Sequence, residues 1–96
     1  MDAALRRFIL VRDRRCVAAI RDPAHVCRDR WGQVHAPDDL DRLTIEHVKD
    51  QPRMGKRAPD DPAHMVALCW ASNVGVPSKA LRQWMREYLA EVAPKP

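Results

Sequence analysis

Glu46 and His47 stand side by side where the apolar run Leu43, Thr44, Ile45 gives way to polar chain. A carboxylate and an imidazole delivered together at a strand end are either a surface pair or half of a metal-assisted active site. The chemistry they could share is phosphodiester cleavage. An imidazole, with its near-neutral pKa, can deprotonate a water close to phosphorus. A divalent cation on oxygen or nitrogen ligands stabilises the phosphorane and the departing oxygen. Neighbouring residues on a strand point to opposite faces. For Glu46 and His47 to cooperate, the strand must therefore end between them and twist.

A second set of residues offers softer chemistry. Cys16, Cys27 and Cys69 are odd in number and widely spaced, which is no disulfide framework. Such thiols are either buried hydrophobes or zinc ligands. Three thiolates could bind a structural Zn²⁺ with His25 or His35 as the fourth ligand; failing that, both histidines read as surface residues.

The totals limit what surrounds these groups. A chain of 96 residues reads as one domain, 1–96. Its small core would gain from a structural metal. Seventeen Lys and Arg against thirteen Asp and Glu leave a formal charge of +4, with a sequence pI near 9.3. That balance favours a polyanionic partner such as DNA. No apolar stretch approaches the roughly 20 residues that span a bilayer. The N-terminal apolar island is too short for a signal peptide. The expectation is an intracellular, cytoplasmic protein with no membrane partner.

The elements that must position these groups follow from periodicity. Residues 2–12 carry Ala4, Leu5, Phe8, Ile9 and Val11 at near-helical spacing, with Asp2 placed to cap the start. "CVAAI" reads as a short strand-like piece. Residues 21–42 are mostly turn and loop, punctuated by Pro23, Gly32 and Pro37. "LTIEHV" is a strand, and "MVALCW" is a second. Between them runs a polar connection from Lys49 to Ala63. After Pro77, Ser78 can cap a helix whose apolar stripe is Leu81, Trp84, Met85, Tyr88 and Leu89. Trp31, Trp70 and Trp84 read as core, and the Arg–Asp alternation in "RDRR" and "CRDRW" reads as mostly a solvated face.

Taken in order, "LTIEHV", "PDDPAHMVALC" and "WASN" resemble the ββα-metal core of HNH endonucleases, over roughly residues 43–82. The resemblance implies a small α+β fold of the His-Me finger type, with a core at about 43–90 preceded by an N-terminal helix and an irregular region. It implies that His47 is the general base, and that Glu46 and Asn73 hold a catalytic Mg²⁺ or Mn²⁺. His64 stands where the family places an Asn that ties the loop and steadies the base. Lys79 and Arg82 follow closely enough to contact DNA phosphate. Many members also carry a zinc knuckle built from two Cys pairs. Here Cys69 stands where the second pair begins, and Ser72 replaces its partner. Gly75 and Pro77 interrupt what is usually one helix, so Asn73 is expected on a single helical turn or a loop.

The function these features lead to is metal-dependent hydrolysis of DNA phosphodiester bonds. Compact HNH proteins of this kind occur in phage genomes, so the resemblance extends to phage packaging machinery as a partner. The alternative is a metal-stapled DNA-binding module without catalysis.

Overall fold

The computed structural model describes residues 2–48, 60–75 and 77–92. Most of the polar connection expected between Lys49 and Ala63 therefore lies outside the described residues. Helix α1 spans Ala3–Asp13, with the Asp2 carboxylate accepting the Ala4 N–H at 2.6 Å. It ends on Arg14 at φ 65°, a left-handed turn whose N–H returns to the Leu10 carbonyl. The stripe it buries is Ile9, Leu10 and Asp13, while Phe8 and Val11 face outward.

"CVAAI" departs from expectation. Val17–Arg21 form a single helical segment, α2, that buries Val17, Ala18 and Ala19. Two alanines favour helix, and an apolar run of this length cannot be assigned from periodicity alone. The irregular region contains a short hairpin, β1 (Cys27–Arg28) with β2 (Val34–His35), pairing Cys27 with His35. Gly32 supplies the positive φ, 79°, that its turn requires. A 3-10 turn over Leu40–Arg42 leads into β3.

Strands β3 (Leu43–His47) and β4 (Met65–Cys69) form an antiparallel ribbon running from Leu43↔Cys69 to His47↔Met65. Another 3-10 turn, Pro62–His64, precedes β4. All five residues of β4 are buried, which is why it reads as a continuous apolar run. Helix α3 (Trp70–Val74) follows at once, and α4 (Lys79–Val92) begins after Ser78, whose hydroxyl accepts the Leu81 N–H at 3.1 Å. The break between α3 and α4 and the Ser78 cap match expectation. So does the stripe: Met85 and Leu89 are buried, with Leu81, Trp84 and Tyr88 packed beside them. The result is a small α+β fold of helices around two antiparallel hairpins. Among the described residues no helix is long and apolar enough to cross a membrane.

Among the described residues the outer edge of β4 has no strand partner, and unpaired backbone groups there would be costly. Residues at the end of α1 supply the partners instead. Arg12 donates to the Pro62 and Met65 carbonyls at 2.6 and 2.5 Å, and the Asp13 carboxylate accepts the Ala67 N–H at 2.9 Å. Two residues further along the same edge, the Cys69 N–H points to Cys16 Sγ at 3.3 Å. Asp13 also accepts from Arg12 Nε at 2.8 Å and from the Tyr88 hydroxyl at 2.7 Å. The pair reads as solvated in the sequence, yet Asp13 is 4% exposed. One carboxylate thus joins α1, β4 and α4.

Candidate metal centre and active site

The three cysteines and His25 are brought together from three stretches of chain: Cys16, the run 25–27 and Cys69. Cys16 precedes α2, held by its N–H to the Pro37 carbonyl at 2.9 Å. His25 is turned back by the Asp22 side chain, which accepts the Ala24 N–H, and by the bond from its own N–H to the Asp22 carbonyl. Cys27 lies in β1, and Cys69 ends β4. One ligand atom from each of Cys16, His25, Cys27 and Cys69 lies within 4.8 Å of all the others. His25 Nε2 is 3.5 Å from Cys69 Sγ. A tetrahedral zinc with Zn–S of about 2.3 Å and Zn–N of about 2.0 Å would set S···N edges of about 3.5 Å. The cluster therefore fits such a metal.

The histidine placed to complete the set is His25. His35 is buried elsewhere, its Nδ1 2.8 Å from the Ala36 carbonyl, so it is neither the ligand nor a surface residue. All three thiols are free and buried. Cys69 is pushed down to about 3 by hydrogen bonding from Cys16, despite burial, with Ser72 and His25 also favouring its thiolate. Cys16 is pushed up by that same hydrogen bond and by burial. Cys27 rises to about 11, chiefly through burial. Ser72 Oγ lies 3.2 Å from both Cys69 Sγ and His25 Nε2, beside the cluster rather than within the tetrad.

The hard-ligand residues gather on the β3–β4 ribbon. Asn73, on α3, donates its amide to Thr44 Oγ1 at 2.8 Å and reaches the Ile45 carbonyl at 3.4 Å. Strand alternation places Glu46 on the same face as Thr44. Burial raises the pKa of Glu46, and the charges of His47 and Arg82 pull it back. Arg82 is thus within electrostatic reach of that carboxylate. Lys79 stands at the start of α4, three residues earlier and exposed.

His47 is placed differently from expectation. The ladder continues through His47↔Met65 instead of ending at Glu46. It is extended by the Val48 N–H, which donates to the His64 carbonyl at 2.7 Å. Glu46 and His47 are consequently on alternate faces. The His47 Nε2 lies 2.6 Å from Asp60 Oδ1. His64 ties the loop to β3 through its backbone, next to His47.

The chain has no match among family models, curated proteins or solved structures. The site is therefore carried by its own geometry. Sequence reasoning missed Asp60, because its contact with His47 joins residues 13 apart across the connection. It missed Ser72 as a neighbour of the cluster, although its place three residues after Cys69 was visible. It also misread Trp31, which is 78% exposed.

Proposed function

We propose that this protein is a small HNH-type endonuclease that hydrolyses DNA phosphodiester bonds, with its fold closed by a structural Zn²⁺. The observation carrying this reading is the Asn73 amide docked on Thr44 and Ile45. It brings a residue from beyond the second strand onto the face of the first that bears Glu46. Strand, strand and helix then stand in the order of a ββα-metal core.

Two oxygen donors from Glu46 and Asn73 suit Mg²⁺ or Mn²⁺, which need further oxygens from water and phosphate. With the Asn73 Nδ2 committed to β3, its Oδ1 is the atom the amide would offer. Such a cation would polarise the phosphate and stabilise the departing oxygen. The remaining steps belong to the chain. If His47 donates its Nε2–H to Asp60, Nδ1 is the basic atom that takes a proton from water. Asp60 then fixes the imidazole and stabilises the charge it gains. The His64 backbone anchors the loop beside that base. Arg82 and Lys79 supply positive charge for the flanking phosphates. The Cys16, His25, Cys27 and Cys69 tetrad has four protein ligands, so its metal has a structural role with no open position for substrate.

A second reading has its own observation: the ladder through His47 leaves base and metal ligand on alternate faces. That favours a zinc-stapled DNA-binding module without catalysis. Incubation of supercoiled plasmid with purified protein separates the two. Nicked or linear product should appear with Mg²⁺ or Mn²⁺ and vanish when the ion is omitted. Omission is the better control, because a chelator would also reach zinc. Retained DNA binding without cleavage under either ion would establish the second reading.

A further inference from the structure

Beside the ribbon lies a cavity of about 500 Å³, whose walls include Arg30, Trp31, Gln33, Asp41, Thr44 and Trp70. The Arg30 guanidinium lies 5.6 Å from the Trp31 ring centroid and 5.3 Å from that of Trp70. We propose that this cavity receives an unpaired base of the DNA, stacked on Trp31 and Trp70. The proposal rests on the nuclease reading for its choice of DNA, and it names the substrate class: DNA with a single-stranded or extruded nucleotide.

Four observations carry it. First, Trp31 is 78% exposed, and a large apolar ring held in water is costly unless something covers it. Its hairpin tip is fixed: the Asp29 carboxylate accepts the Trp31 and Gln33 N–H groups at 2.9 and 3.0 Å and pairs with Arg42 at 2.8 Å. Second, the space between the two indoles is lined by a planar cation. An exposed cation–π contact contributes only about 0.5–1 kcal/mol, so a base can displace Arg30, which is then free to meet a phosphate. Third, Asp29 and Asp41 also line the cavity. Asp29 is paired with Arg42, another lining residue, while Asp41 and Gln33 offer hydrogen-bonding partners to a base edge. Fourth, Thr44 belongs both to the cavity wall and to the hydrogen bond with Asn73. A base seated there would place its strand beside the proposed cleavage site.

A metal at the candidate centre would tie the two walls together. Cys27 is three residues before Arg30, and Cys69 immediately precedes Trp70. A metal joining those cysteines fixes the hairpin against α3.

The test is binding without added divalent cation, so that no cleavage is needed for the readout. Fluorescence anisotropy is measured with a labelled single-stranded 12-mer, the same sequence as a duplex, and a mononucleotide competitor. The wild type should prefer the single strand, and its tryptophan emission should be quenched on binding. Trp31→Ala, which removes an exposed ring and should fold normally by its melting curve, should lose about tenfold in single-strand affinity, the usual scale for one stacked base. Its duplex affinity should stay within about twofold, and Trp31→Phe should recover most of the loss. Equal losses on single strand and duplex, or no loss at all, would overturn the proposal. So would a mononucleotide competing as well as the 12-mer. Absence of plasmid cleavage would sink the nuclease reading and leave this result standing.

Discussion

At the scale of single residues, Asp13 shows how a charge that looks solvated can organise a core. Its carboxylate is shared by Arg12, the Ala67 N–H and the Tyr88 hydroxyl. Removing it leaves the largely buried Arg12 guanidinium with carbonyl acceptors but no counter-charge, and leaves the Ala67 N–H and the Tyr88 hydroxyl without their acceptor. Asp13→Ala should therefore cost about 3–5 kcal/mol, read from chemical denaturation. Tyr88 gives a second prediction, with a pH sign. Its pKa is raised by burial and then by the Asp13 hydrogen bond and charge. The folded state thus favours the protonated phenol. That stabilisation is full below the unfolded pKa of about 10 and is lost as pH rises toward the higher folded value. Tyr88→Phe should be less stable than wild type by about 1.5–3 kcal/mol at pH 7, the scale of a hydrogen bond to a charged group. From about pH 10 upward the gap should narrow, since Phe has no proton to lose. A gap that stays constant across this range would show that the hydroxyl's protonation does not matter to folding.

At the scale of elements, the decisive feature is that the four cluster residues come from three stretches of chain distant in sequence: Cys16, the run 25–27 and Cys69. A metal there joins the turn after α1, the turn after α2, β1 and the end of β4. Cys27→Ser should therefore lose bound zinc, measured by elemental analysis, together with the cooperative melt. Zinc uptake by metal-free protein at pH 7.5 should release protons, because the hydrogen bond to Cys69 and burial favour the thiol form of Cys16, and burial that of Cys27. Calorimetry in buffers of different ionisation enthalpy measures that release, and release of none would contradict thiolate ligation at this cluster. Strands β3 and β4 and helix α4 were readable from the sequence because their patterns are strong: a five-residue buried run in β4, and a Ser cap before an amphipathic stripe; the two-residue strands β1 and β2, too short to show a period, were read as turn and loop. The Cys cluster was readable only as a choice between zinc and burial, since spacing could not show which histidine folds back. "CVAAI" was misread because five apolar residues fit either period. Arg12, Asp13 and Asp60 were invisible, because their partners are set by tertiary contacts rather than by neighbours in the chain.

At the scale of the whole molecule, the candidate Cys₃His centre and the proposed catalytic site occupy different places in one small α+β fold. The Cys16, His25, Cys27 and Cys69 cluster gathers N-terminal residues against the end of β4, and Glu46 and Asn73, the proposed oxygen ligands, belong to β3 and α3. The basic excess of +4 suits a partner carrying phosphate. This division predicts separable defects. Glu46→Ala and Asn73→Ala should each raise the Mg²⁺ or Mn²⁺ concentration needed for cleavage, or eliminate cleavage, while salt-dependent DNA binding persists. Asp60→Asn, at a half-exposed side chain, should slow cleavage without lowering the melting temperature. The most direct measurement is the single-turnover rate of His47→Ala against wild type, at saturating protein and Mg²⁺ or Mn²⁺. A general base typically contributes 10²–10⁴-fold, so the variant should fall by at least about a hundredfold with its melt and DNA affinity unchanged. A variant that keeps more than about a tenth of the wild-type rate would contradict the proposed role of His47 and, with it, the proposed active site.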